Sequence, residues 1–255
     1  MISLKGKKGL VAGIANRHSI AFGCAKIFHR LGAQLAITYL NEKAEPYVRP
    51  LAEELKSPLI LPLDVRIEGQ LEAVFDAVAD HWGQLDFVLH AIAFAPKEDL
   101  HRRVVDCSKE GFTMAMDISC HSFIRMARLA EPLMEKGGTL LTMTYYGAEK
   151  VVEDYNLMGP VKAALESATR YMAAELGPRK IRVHAVSPGP LKTRAASGIS
   201  RFDELLEKAA ARAPKRHVVD IEDVGYTAAF LVSDAATALT GNLTYVDAGY
   251  HIIGV

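Results

Sequence analysis

Apolar runs of strand length alternate with amphipathic, helix-length segments along almost the whole chain. The strand candidates are Gly9–Ala12, Gln34–Thr38, Leu59–Leu63, Phe87–Ala91, Thr139–Thr144, Val183–Val186 and Leu243–Val246. Leu59-Ile60-Leu61 and Phe87-Val88-Leu89 are continuously apolar, the pattern of strands covered on both faces of a parallel sheet. Between the strands, helical periodicity predicts helices over Ser19–Leu31, Glu42–Leu55, Gln70–His81, Phe112–Met134, Val161–Leu176 and Ile221–Leu231. This alternation predicts an α/β fold, a Rossmann-like doubly wound parallel sheet of about seven strands. No linker, repeat or low-complexity tract interrupts it, so one domain over 1–255 is expected.

The stretch 188–212 departs from the alternation. Pro188-Gly189-Pro190 forbids regular helix or a central strand, and a helical insert, Arg201–Arg212, follows. An insertion at the carboxyl end of a strand overhangs the ligand crevice of such a sheet. A helical substrate lid is therefore expected here, with 193–211 ordering over bound ligands.

Composition narrows the function classes. Thirty Lys and Arg residues balance thirty Asp and Glu residues, so no global field draws the chain to nucleic acid or an anionic membrane. Cys24, Cys107 and Cys120 are too few and too scattered for a disulfide framework or a zinc site. No cluster of His, Asp and Glu suggests a metal. No uninterrupted apolar run approaches the roughly 18 residues that span a bilayer, and the basic start, Lys5-Gly6-Lys7-Lys8, leads straight into the first strand. A cytoplasmic protein with no membrane partner is expected.

Candidate chemistry sits at the strand ends. After the first strand comes Gly13, then Ser19-Ile20-Ala21 opening a helix. A glycine there lets the backbone turn tightly and approach a pyrophosphate, and the helix start offers free N–H groups. Ser19 is suited to cap that helix or to donate to a phosphate oxygen. A plain strand-to-helix turn reads the same way, since Gly-x-Gly-x-x-Gly is absent. Asp64-Val65 closes the third strand, where a carboxylate can take an adenine amino group. Ala91-Ile92-Ala93 closes the fourth with side chains that let a flat ring pass. After the second strand, Leu40-Asn41 offers neither an acid for ribose hydroxyls nor an arginine for a 2′-phosphate, and Lys43 is the nearest cation.

Tyr155 and Lys162 stand seven residues apart, beyond the fifth strand and around the start of the helix Val161–Leu176. On a continuous helix their side chains would be about 10 Å apart along one face, fit to reach one bound ribose from either end. Pro160 between them places the helix start near Met158–Pro160. A nearby ammonium favours the ionised phenol, so a lowered tyrosine pKa is expected.

Gly13-x5-Ser19-x-Ala21 with Tyr155-x6-Lys162 resembles the divergent branch of the short-chain dehydrogenases and reductases. Within that branch the chain closely resembles bacterial enoyl-acyl-carrier-protein reductases. The matching segments include His29-Arg30-Leu31-Gly32-Ala33, Phe94-Ala95-Pro96, Asp117-Ile118-Ser119, Tyr155-Asn156-Leu157-Met158-Gly159, Arg170-Tyr171-Met172-Ala173, Ala195-Ala196-Ser197-Gly198-Ile199 and Ile221-Glu222-Asp223-Val224-Gly225. The resemblance implies hydride transfer from NADH, with NADPH as the alternative donor, to a trans-2-enoyl thioester on acyl carrier protein. It implies catalytic roles for Tyr145, Tyr155 and Lys162. It implies cofactor contacts at Gly13, Ser19, Ile20, Leu40, Asp64, Val65, Ile92, Lys162, Leu191, Lys192, Thr193, Arg194 and Ala195, and a substrate contact at Ala95. It also implies a homotetramer. Leu40 stands where the family often has glutamine, Ala91-Ile92-Ala93 where it has Ser-Ile-Gly, and Pro188 where it has alanine. Two other readings remain at this point: a short-chain reductase of ketones or dienoyl thioesters, and a silent NAD-binding regulator.

Overall fold

The structure, a computed structural model, describes residues 2–191, 193 and 202–254. Strands β1 (Lys8–Ala12), β2 (Gln34–Tyr39), β3 (Leu59–Pro62), β4 (Phe87–His90), β5 (Gly138–Met143), β6 (Ile181–Pro188) and β7 (Leu243–Val246) form one sheet. Their order is β3-β2-β1-β4-β5-β6-β7, and every neighbouring pair is parallel. The helices are α1 (Ile20–Arg30), α2 (Glu45–Glu54), α3 (Gln70–Trp82), α4 (Lys97–Leu100), α5 (Lys109–Met116), α6 (Ser122–Ala130), α7 (Met158–Leu176), α8 (Phe202–Arg212) and α9 (Ile221–Val232). This is the expected doubly wound α/β architecture. Among the described residues no helix is long and apolar enough to cross a membrane.

Side-chain alternation along the strands feeds a core on each face. Val11 faces Phe22, Phe28 and Val224 on the side of α1 and α9. Leu10 and Ala12 face Phe75, Phe123 and Leu165 on the side of α3, α6 and α7. Helices α1 and α9 meet backbone to backbone: a Cβ on Gly23 would lie 2.3 Å from the Ile221 carbonyl oxygen. Helix α9 is opened by a reciprocal cap, with Asp220 accepting from the Asp223 N–H and Asp223 accepting from the Asp220 N–H.

Two local expectations are corrected. The apolar run Leu59-Ile60-Leu61 is only half-buried, because β3 is an edge strand, whereas the equally apolar Phe87-Val88-Leu89 is central and sealed. The helix expected over Phe112–Met134 starts earlier, at Lys109, where the Ser108 hydroxyl caps it by accepting from the Gly111 N–H at 2.9 Å. It is also not uniform: Asp117–His121 is wound as a π-helix between α5 and α6. Helix α7 begins at Met158, within the start expected at Met158–Pro160, with Pro160 in its first turn, where an N–H has no helical acceptor. Tyr155 therefore lies in the preceding turn, not on the helix.

Successive strands run outward in opposite directions from β1 and β4, so their carboxyl ends open a crevice between the two halves of the sheet. A third, small apolar cluster of Ala115, Tyr155, Leu157, Met158 and Val161 packs beside that crevice.

Candidate active site

At the end of β1 the chain turns through Gly13 with φ +114°, and a Cβ there would lie 2.2 Å from the Ala91 carbonyl oxygen. Only glycine lets β1 and β4 converge this closely at their carboxyl ends. The loop that follows is gathered by Ser19, whose Oγ accepts from the Ala15 N–H at 2.9 Å and the Asn16 N–H at 3.0 Å. The expected side-chain cap on α1 does not form, since Ser19 turns back to the loop. Its hydroxyl hydrogen remains a donor at the crevice wall, beside the first-turn N–H groups of Ile20 and Ala21, which have no helical acceptor.

The other end of the crevice is built by long-range packing. Tyr145 follows β5, and its ring meets Tyr155 edge-on, centroids 4.8 Å apart at 62°. Gly147 admits the Tyr155 ring, because a Cβ there would stand 2.4 Å from it. Lys162, in the second turn of α7, is buried and donates through Nζ to the Met143 carbonyl at 2.7 Å. The Tyr145 hydroxyl is buried without a partner among the described residues.

Burial decides the charge states here. It raises the Tyr155 phenol, and the neighbouring Tyr145 and Glu166 raise it further. The expected lowering of this tyrosine is therefore wrong: the ammonium is engaged by the Met143 carbonyl, and desolvation governs the phenol. Tyr145 is raised for the same reason. Lys162 is pulled down by burial to about 8, so it remains a cation at neutral pH. The site holds two neutral phenols and one ammonium.

These groups share a cleft of about 380 Å³. Of the expected site residues, Gly13, Ser19, Ile20, Ile92, Ala95, Tyr145, Tyr155, Lys162, Leu191 and Thr193 line it. Leu40, half-exposed after β2, and Asp64 and Val65, buried after β3, lie outside the cleft at the carboxyl ends of the neighbouring strands. The Asp64 carboxylate already receives the Arg66 guanidinium at 2.9 and 2.6 Å, and that pairing holds it below the ordinary carboxylate range. Lys192, Arg194 and Ala195 lie outside the described residues, as does much of the expected lid.

Residues 13–251 match the family described as enoyl-(acyl carrier protein) reductase. The chain belongs to that family. It is 47% identical to the NADH-dependent enoyl-acyl-carrier-protein reductase 2 of Rhizobium meliloti (strain 1021), over 98% of this chain and 93% of the relative. The solved structure of the Anaplasma phagocytophilum reductase in complex with NAD is similar, with a TM-score of 0.96, 46% identity and coverage of 100% of this chain and 98% of that one. The Bacillus cereus reductase with NADP⁺ and an indole naphthyridinone is 44% identical with a TM-score of 0.97, covering both chains fully.

Some supporting residues carry no local signature in the sequence. His90, fully buried at the end of β4, bridges Thr142 through Nδ1 at 2.9 Å and Ser122 through Nε2 at 2.8 Å. Ser122 donates its own hydrogen to the Ile118 carbonyl, so His90 must donate to Ser122 through Nε2–H and accept from Thr142 at Nδ1. Burial and the Lys162 charge hold His90 down at about 3, so it stays neutral. Ser119, turned inward by the π-wound segment, accepts from the Phe94 N–H at 2.9 Å and donates to the Phe94 carbonyl at 3.1 Å, fixing the loop that carries Ile92 and Ala95. A polar residue ending a central parallel strand was the available signal for His90, and nothing in the spacing marked Ser119 or Ser122.

Proposed function

We propose that this chain reduces the double bond of trans-2-enoyl thioesters carried on acyl carrier protein, using NADH, as a step in building fatty acyl chains. One observation carries the reading: two desolvated neutral phenols and an ammonium converge on the same cleft that begins at the Gly13 turn. Family membership supports it. The residues fit a nicotinamide dinucleotide. The bare Gly13 backbone, the Ser19 hydroxyl and the α1 N-terminus suit the phosphates, Lys162 suits the nicotinamide ribose, and the unpartnered Tyr145 hydroxyl awaits a polar group. Asp64, with Leu40 and Val65 nearby, suits the adenosine end, and Lys192, Arg194 and Ala195 are proposed contacts beyond Leu191.

A bound reduced nicotinamide supplies the hydride. Tyr155, held neutral by burial, donates to the thioester carbonyl oxygen, where negative charge grows as the β-carbon is reduced. Tyr145 stands edge-on to it as a second neutral donor, and Ala95 borders the acyl chain. The Lys162 cation adds a favourable field for the developing enolate. The low-dielectric cluster of Tyr155, Leu157, Met158 and Val161 strengthens each of these interactions.

The same reading takes 1–255 as one reductase domain in the cytoplasm, with 188–212 as its lid. It also takes the protein as a homotetramer: Phe112, Ile124 and Tyr171 expose aromatic or apolar surface on α5, α6 and α7, consistent with helices that pack against another copy. Mixing protein, crotonyl-CoA and either NADH or NADPH tests the chemistry. Loss of reduced-cofactor absorbance, faster with NADH, is expected, and no loss with either cofactor overturns the reading. Light scattering should give four copies per particle.

A further inference from the structure

The reading that this cleft reduces an enoyl thioester places the acyl chain against Ala95, and Leu100 lines the same wall. That wall belongs to the connection from β4 to α5, which contains the single turn of α4 and the 3-10 turn Val104–Asp106. Three side chains hold it. Ser119 grips Phe94 at both its N–H and its carbonyl. The buried Asp99 carboxylate accepts from the Ser108 N–H at 2.6 Å and from the Ser108 hydroxyl at 3.0 Å. The third tie is the side chain of Asn156, whose Nδ2 donates to the Leu100 carbonyl at 2.8 Å across 56 positions of sequence. The first two fasten the wall to the π-wound segment and to the start of α5. The last fastens it to the residue that follows Tyr155.

Backbone geometry aims that amide. Asp154 and Asn156, on either side of Tyr155, both have positive φ, +63° and +40°. Asp and Asn tolerate this region better than other side chains, and such residues gather at functional sites. The Tyr155 N–H donates to the Val152 carbonyl at 3.2 Å and the Met158 N–H donates to the Tyr155 carbonyl at 3.1 Å, so the turn runs directly into α7. The Leu100 carbonyl stands at the C-terminal end of α4, where a carbonyl has no helical donor, and Asn156 supplies one. Ala95 and Leu100 also pack against the cluster of Ala115, Tyr155, Leu157, Met158 and Val161. The wall and the phenol thus share one support.

We propose that Asn156 is a positioning residue: it holds the Ala95–Leu100 wall beside Tyr155 and so sets the preference for long acyl chains over short ones. A crotonyl group ends one carbon beyond its double bond and has no tail to lay along the wall. A dodecenoyl group has a long apolar tail, and each methylene buried against the wall adds to binding. Loss of the Asn156 amide leaves the ties at Phe94 and Asp99 but releases the wall from the Tyr155 turn. The tail then loses contact while the reacting end of the substrate keeps its place.

The test uses the full-length enzyme, NADH and two substrates, crotonyl-CoA and trans-2-dodecenoyl-CoA. Asn156→Gly keeps the positive φ and removes the amide. It should lower kcat/KM for dodecenoyl-CoA about 3- to 10-fold, through KM, because the tail meets the wall before as well as during reduction. The kcat and KM for crotonyl-CoA and the Kd for NADH should stay within about twofold of wild type. Asn156→Asp keeps a side chain that tolerates this φ but sets a carboxylate against the Leu100 carbonyl, so its loss on dodecenoyl-CoA should be at least as large. A kcat/KM for dodecenoyl-CoA equal to wild type in both variants overturns the proposal. So does an equal fall on both substrates, which marks a role in the Tyr155 turn alone. If Asn156→Gly fails to fold, Asn156→Asp decides by the same comparison of substrates. Wild-type protein that oxidises no NADH with either substrate overturns the functional reading and the proposal with it, whereas active wild type with an unaltered chain-length preference in the variants overturns the proposal alone.

Discussion

The two ends of the crevice are built on opposite principles. At the nucleotide end, contacts are local and charges survive: Ser19 gathers N–H groups three and four residues away, and Asp64 is paired with Arg66 two residues on. At the catalytic end, contacts cross the chain: His90 reaches Ser122 and Thr142, Lys162 reaches Met143, and Ser119 reaches Phe94. There, burial drives every ionisable group towards its neutral form. On the proposed function, the difference teaches that binding a polyanionic cofactor asks for exposed backbone donors, whereas stabilising a transient enolate asks for dry, neutral donors and one fixed cation.

The sharpest way to break this division is at Tyr155. Tyr155→Phe should lower kcat by about 100- to 1000-fold while NADH affinity stays near wild type, because the lost hydrogen bond is strongest in the transition state. Steady-state kinetics with a fluorescence titration of NADH checks both halves, and an unchanged turnover number removes Tyr155 from the chemistry. Lys162→Ala should instead weaken NADH binding together with rate.

At the nucleotide end, Gly13→Ala combines a positive φ with a Cβ 2.2 Å from the Ala91 oxygen. It should cost about 3 kcal/mol of stability and weaken NADH binding. Gly69→Ala shares a positive φ but meets nothing within 4 Å, so it should cost only about 1 kcal/mol. Equal losses in chemical denaturation would show that the close approach of β1 to β4 contributes nothing.

The smallest effect separates the ends by pH. His90 has a folded pKa of about 3, below its ordinary 6.5, so the unfolded chain takes the proton first. Its stability contribution is complete above about pH 6.5 and declines as pH falls through the window towards 3, reaching a loss of about 2 kcal/mol at pH 5. Buried His184, held at about 4 by burial and by Arg182, adds in the same direction. The paired carboxylate Asp64 is lowered, so its contribution fades only at more acidic pH. Urea midpoints measured from pH 8 to 5 should fall for wild type and fall less steeply for His90→Gln. A flat wild-type profile would refute the assignment of a neutral buried imidazole.

How much of this was legible in the sequence follows the same division. The seven strands, the core helices, the Gly13 turn and the meeting of Tyr145, Tyr155 and Lys162 in one cleft could be read from periodicity, turn chemistry and resemblance. Each depends on residues close in sequence or on a pattern repeated along it. The half-exposure of β3 could not be read, because apolar content does not say which strand ends a sheet. Nor could the cap at Ser108, since the apolar period located the helix by its buried face alone.

What only the tertiary structure decided was electrical and long-range. The sequence named a tyrosine beside a lysine and so suggested a lowered phenol. Folding instead buries both groups and engages the ammonium with a backbone carbonyl, so desolvation outweighs their mutual attraction. The π-wound turn that presents Ser119 to Phe94, the His90 bridge and the Asn156 bond to Leu100 join residues 25 to 56 positions apart. Local propensity fixes which elements form, but which side chains meet, and whether they keep their charge, depends on how sheet and helices close around the crevice.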